Sequence, residues 1–251
     1  MEVIGACCIF AKNKNLRIGI FLIMRKYITF LLVLSVLCSC ADKYSINGLS
    51  SGYITDGTMA YIRNLDETDN FGAIDSCEII HGQFHMDGII DSVMCVTLNM
   101  GSDMFPIVLE SGIININISN NNVKIDGTPL NDSLYYFLTR RDSLKILFDD
   151  LSRQESSMYL DGYSQEEIMK TLTTETQRLE RALDKLETNF ILANSNNTLG
   201  VMWFLRLCYD ARDWYGFATT TPQIDEIYSK APKSFKKNKM IQEYMRQVNG
   251  K

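Results

Sequence analysis

Between Tyr44 and Ile125 the chain alternates short β-branched or aromatic runs with Gly, Asn and Asp placed every several residues. That rhythm predicts an all-β domain, with strands near 44–49, 58–63, 73–80, 83–87, 93–99, 105–110, 113–118 and 123–125. Ile113-Ile114-Asn115-Ile116-Asn117-Ile118 alternates apolar and polar, as a strand with one wet face does. Met104 to Leu109 is nearly all apolar and should be buried more deeply. Gly82 and Gly112 stand where hairpin turns need positive φ. From Asn131 the period lengthens, and Leu134, Phe137, Leu138, Leu144, Phe148 and Leu151 recur three and four apart. Ser164-Gln165-Glu166-Glu167 is a capping box, opening a helix with Ile168, Leu172, Leu179, Leu183, Leu186 and Phe190 on one face. Asn194 to Asn197 ends it. A third helix, Leu199 to Asp210, is apolar almost all round and should lie at the centre of the helical part. Thr221-Pro222 opens a short helix, and a last one should span about 233–248. The expected fold class is α+β. An antiparallel β-sandwich-like domain (44–128) is followed by an α-helical domain (129–251).

Ahead of the first strand, Met24-Arg25-Lys26 precedes the apolar run Ile28 to Leu37, and then comes Leu37-Cys38-Ser39-Cys40. A charged start followed by about ten apolar residues is a signal-peptide pattern, too short for the roughly 20 residues of a spanning helix. Its end resembles the lipobox of bacterial lipoproteins, in which the cysteine is lipidated before cleavage just upstream. Leu37, Cys38 and Ser39 then fill the signal peptidase's subsites, and Cys40 becomes the lipid-bearing first residue. Residues 24–39 are the expected lipoprotein signal peptide, 40–43 the lipidated N-terminus, and 1–23 an upstream over-translation. An uncleaved anchor joining Ile18–Ile23 to the second run is the alternative, but Arg25 and Lys26 interrupt it at a cost of several kcal/mol in a bilayer.

Removing everything before Cys40 changes the charge. Five of the 25 Lys and Arg and one of the 30 Asp and Glu precede it, so the remainder moves from the whole-chain −5 to −9. An acidic surface is a poor partner for nucleic acid, because phosphate binding draws on clustered Lys and Arg. The same cut removes Cys7, Cys8 and Cys38, and lipid would occupy Cys40, so three of the seven cysteines remain as thiols: Cys77, Cys95 and Cys208. An odd number without C-x-x-C spacing argues against a disulfide framework and a thioredoxin-like centre. Three buried thiols are expected, with a Cys77–Cys95 bridge between neighbouring strands as the alternative.

Several motifs follow one another in the β region: Tyr44-Ser45-Ile46-Asn47-Gly48, Ala60-Tyr61-Ile62, Ile74-Asp75-Ser76, Gly82-Gln83-Phe84 with Gly88, Leu109-Glu110-Ser111-Gly112, then Ile125, Gly127-Thr128 and Asn131. In order and spacing they resemble the domain of unknown function 4369 family, the small β-domain at the N-terminus of many bacterial thioredoxin-like lipoproteins, over about residues 44 to 135. The resemblance implies an envelope lipoprotein. Longer members continue through a helical linker into a thioredoxin fold. Residues 131–248 are similar to that linker, and the expectation is a relative without the thioredoxin domain, to which the redox activity does not carry over.

No catalytic set emerges, and no cofactor or metal is expected. His81 and His85 lie near Asp75 and Asp87, but residues four apart on a strand are roughly 13 Å apart, too far to share an ion unless a turn intervenes. Asp75-Ser76 has no third group and no nucleophile elbow, so it reads as a hydrogen-bonding pair at a strand edge. Glu110, before Ser111-Gly112, should satisfy backbone donors at that turn rather than hold a ligand. Trp214, Tyr215 and Phe217 follow charged Asp210, Arg212 and Asp213, and form a candidate partner surface. Lys233, Lys236, Lys237 and Lys239 should be a solvated helix face, with a membrane-surface contact as the alternative. The expectation is a non-enzymatic module in the bacterial cell envelope, lipid-anchored to inner or outer membrane, binding or assembling with an envelope protein. The rival is an accessory of thiol-disulfide or peroxide metabolism that works with a separate thioredoxin-like protein.

Overall fold

Alternation of apolar and polar residues builds two four-stranded sheets. The computed structural model of the chain describes residues 42–51, 54, 56–64, 72–119 and 122–250. The strands are β1 (Asp42–Ser50), β2 (Met59–Asn64), β3 (Asp75–Glu78), β4 (Gln83–Ile90), β5 (Met94–Met100), β6 (Asp103–Leu109), β7 (Gly112–Ser119) and β8 (Asn122–Asp126). The first sheet has the order β4-β1-β7-β8 and the second β3-β2-β5-β6. Every ladder is antiparallel except β1–β7, which is parallel from Tyr44↔Gly112 to Ser50↔Ile118. Inward residues of both sheets meet in one core that includes Ile46, Ile62, Val96, Leu98, Ile107, Ile114 and Ile116, all 1% exposed or less.

The β1–β4 ladder explains why glycine and aromatic residues recur in the motifs. Phe84 sits directly opposite Gly48, and Tyr44 opposite Gly88. A Cβ on Gly48 would lie 2.0 Å from the Phe84 ring, and one on Gly88 2.5 Å from the Tyr44 ring. Each aromatic ring lies over the bare backbone across the ladder, which fixes register through side-chain packing. The β3–β4 hairpin turns at His81 and Gly82, with φ of 52° and 71°, the handedness a two-residue hairpin loop requires.

The helices are α1 (Pro129–Leu160), α2 (Gln165–Ala193), α3 (Thr198–Tyr215), α4 (Pro222–Lys230), α5 (Lys233–Lys236) and α6 (Lys239–Val248). The fold is therefore α+β, with the sheets first and the helices after them. Both arms of the Ser164/Glu167 capping box are formed. Helix α3 is central, burying Leu199, Trp203, Phe204, Leu205 and Cys208. Phe137 stacks on Phe190 at 4.0 Å, and Trp203 meets Phe137 edge-on at 4.8 Å. The single helix expected over 233–248 is two. Asn238 interrupts it, because its side chain accepts from the Met240 and Ile241 amides and starts a new helix. Asp42 to Lys251 cluster as one compact unit, and Val108 of β6 belongs to the helical core.

Candidate functional site

The closing turn of the sandwich joins sheet to helix. Thr128 occupies the N-cap of α1 without a side-chain capping bond. Buried Glu110 does this work instead, accepting from the amides of Leu130 (2.7 Å) and Asn131 (3.1 Å). Its negative charge lies against the positive end of the helix dipole. Asn131, fully buried, imitates another strand: its Oδ1 accepts from the Val108 amide (2.9 Å), and its Nδ2 donates to the Val108 carbonyl (2.8 Å). That Nδ2 also donates to Thr128 Oγ1 at 2.8 Å. The edge of β6 is thus paired at Val108, and the side chain leaves no amide atom wasted. Glu110 does satisfy backbone donors, but they belong to a helix some twenty residues on. The sequence signal for Asn131 was a polar residue on the apolar face that holds Leu134 and Phe137.

The outer face of the first sheet is polar. His85, Asn47, Asn115 and Asp126 form one row across all four strands. His85 Nδ1 lies 2.9 Å from Asn47 Oδ1 and its Nε2 2.6 Å from Asp87 Oδ2, while Lys124 Nζ lies 2.6 Å from Asp126 Oδ2. His85, Asn47, Asn115 and Asp126 border an open depression of about 1060 Å³. A hydrogen bond from Ser45, and then His85, hold the Asp87 carboxyl below the usual carboxylate range. His81 instead faces Asp56, at 3.5 Å. The two histidines answer to different carboxylates. Asp75 and Ser76 form a structural pair: Asp75 Oδ1 accepts from the Ser76 amide, and Oδ2 accepts from the Tyr44 hydroxyl (2.9 Å), tying the two sheets together. Burial, then the bond to Asp75, pushes the Tyr44 phenol up.

Cys77, Cys95 and Cys208 are free. Strand β2 lies between β3 and β5, so Cys77 and Cys95 are not on neighbouring strands, which removes the premise of the bridge. Burial pushes the Cys95 thiol to about 11 and the Cys208 thiol to about 12, and raises Cys77 too, against a hydrogen bond from the His85 amide. All three are poor nucleophiles at neutral pH. In the helical part Arg141 and Glu187 form a nearly buried ion pair at 2.8 Å, and the Arg141 guanidinium lies 5.4 Å from the Trp203 ring centre. That pair joins residues 46 apart and left no sequence signal. Trp214, Tyr215 and Phe217 are exposed, at 84%, 55% and 63%. Leu37, Cys38, Ser39 and Cys40 lie outside the described residues. Among the described residues no helix is long and apolar enough to cross a membrane.

These features define an α+β protein in which a two-sheet β domain is closed by the first turn of a helix. Residues 44–134 match the family model described as a domain of unknown function (DUF4369). The matched segment starts at Tyr44, the ring over Gly88, and ends at Leu134, one turn beyond Asn131. It therefore contains the sandwich from the third residue of β1 onward and the turn of α1 that seals it. No curated protein and no solved structure matches the chain.

Proposed function

We propose that the protein is a lipoprotein of the bacterial cell envelope, cleaved before Cys40 and lipidated there, whose body acts as a binding or assembly module without catalysis of its own. The Leu37-Cys38-Ser39-Cys40 sequence after a charged start and an apolar run carries this reading. In support, β1 begins at Asp42, two residues beyond the proposed lipid-bearing cysteine. Attachment of more than one acyl chain makes such a tether stable. Against the rival reading as a thiol-disulfide accessory stand the raised thiols of Cys95 and Cys208. Growth of the native host with an alkyne-tagged fatty acid tests the anchor. Label should appear on the protein and vanish in Cys40→Ser, which should also leave the membrane fraction's lipid-anchored pool. A Cys40→Ser protein that still takes up label would overturn the anchor. Cross-linking in the intact envelope should capture one reproducible protein partner, and capture unaffected by alanine at Cys77, Cys95 and Cys208 excludes the thiol route.

A further inference from the structure

Charge changes sign along the chain. Cys40 to Leu205 carry eleven Lys and Arg against twenty-four Asp and Glu, whereas Arg206 to Lys251 carry nine against five. The exposed aromatic cluster belongs to the basic segment. Trp214 and Tyr215 close α3 and Phe217 follows, its ring 6.5 Å from that of Tyr215, and Tyr209 of α3 and Met240 of α6 are partly open as well. The cluster is held in place: Gly216 caps α3 in the left-handed conformation, and the Tyr244 hydroxyl of α6 bonds the Thr219 carbonyl at 2.9 Å. Tyr209, Met240, Lys239, Arg212 and Arg246 border one groove between α3 and α6. Arg212 and Arg246 are answered by Asp213 and Glu243, so the surplus charge resides chiefly in exposed Lys233, Lys237 and Lys239.

We infer that this end of the helical part is a membrane contact, in which Trp214, Tyr215 and Phe217 enter the headgroup region of an anionic bilayer and Lys237 and Lys239 face its phosphates. Aromatic rings with a polar edge favour the bilayer interface, and lysines follow the negative potential of anionic lipid. The rest of the chain beyond Cys40 is acidic, so the basic segment from Arg206 onward carries the charge that an anionic bilayer attracts. The inference rests on the proposed anchor, since a few aromatics and lysines bind weakly unless a tether raises their local concentration. Reach is adequate. The hydroxyl of Thr198, at the start of α3, touches Cys95 near the first residues of β5, at the end of the sandwich where β1 begins. Eighteen residues of α3 span about 27 Å from there to Tyr215.

Trp203 is buried and Trp214 exposed, so tryptophan emission reads the contact directly. The full protein, purified from the envelope, is reconstituted in phosphatidylethanolamine vesicles containing phosphatidylglycerol and in vesicles of phosphatidylcholine alone. Trp214 emission should shift to the blue and be quenched about twofold or more by brominated lipid in the anionic vesicles only, and high salt should reverse both. Trp214→Phe should abolish the shift, and Lys237→Glu with Lys239→Glu should reduce quenching while the far-ultraviolet circular dichroism is unchanged. Unquenched emission in anionic vesicles, or equal quenching in neutral ones, would overturn the contact. The mass of the N-terminal peptide reports lipid on Cys40 separately. A protein without that lipid whose Trp214 is still quenched defeats the anchor and keeps the contact; a lipidated protein with unquenched Trp214 does the opposite.

Discussion

The two sheets of the sandwich turn different faces outward. The first shows solvent a row of His85, Asn47, Asn115 and Asp126, with hydrogen bonds between His85 and Asn47 and between Asn115 and Asp126 and an ion pair from Lys124 to Asp126. On the second, Val108 is buried in the helical core, and Cys95 and Pro106 meet α3 and α1 through Thr198 and Tyr135. One sheet is therefore finished by water and the other by the helices. Stability should be sensitive to substitution on the covered side and tolerant on the open one.

Asn131→Ala is the harshest test of the covered side. It strands the Val108 amide and carbonyl away from water and should lower unfolding free energy by about 3 kcal/mol, read by urea denaturation. A loss under about 1 kcal/mol would mean that the seam is wet. Next come the thiols. With its thiol at about 11 in place of 9, Cys95 should alkylate about a hundredfold more slowly at pH 8 in the native protein than in urea, as mass spectrometry can follow. Glu110→Ala removes the acceptor at the start of α1 and should lower stability by about 1 to 2 kcal/mol, with Glu110→Gln recovering part of it. On the open side the effects are small. Asp87 has a lowered carboxyl, so its contribution is complete above the usual carboxylate range and is lost as pH falls through the lowered value. His85→Ala should therefore flatten the acid limb of a stability-against-pH curve slightly and leave its alkaline limb unchanged. Asn117→Ala, on the same face, should stay within about 0.5 kcal/mol of the parent.

Where structure follows from local pattern, the chain was legible. All eight strands fall where β-branched runs and turn residues place them, and Ser164-Gln165-Glu166-Glu167 opens α2 through both of its bonds. The contrast between the sheets was visible in part: 113–118 alternates, and Ile107, Val108 and Leu109 are all buried as the apolar run suggested, but Met104 is 69% exposed against that expectation. What escaped depends on partners remote in sequence. Tyr44 and Asp75 stand 31 residues apart, and Arg141 and Glu187 stand 46 apart. Neither pair has a spacing that one chain can advertise. The parallel β1–β7 ladder is likewise a matter of topology, because each strand's alternation is satisfied by either direction. The break at Asn238 is local, but an Asn within a helical period reads as an ordinary exposed position until its side chain is seen capping Met240 and Ile241. Of the candidate surfaces, Trp214, Tyr215 and Phe217 are exposed where their charged neighbours suggested.

Strand β1 is one of the two inner members of its sheet, in register with β4 at eight positions and with β7 at seven. Its first residue is the one that a chain tethered through Cys40 would be pulled by. Traction along that strand would load both ladders in shear, every hydrogen bond at once, rather than peel them open one after another. The Tyr44 hydroxyl bond to Asp75 would pass some of the strain to the other sheet. A domain tethered through Cys40 would therefore meet that load as a mechanical clamp.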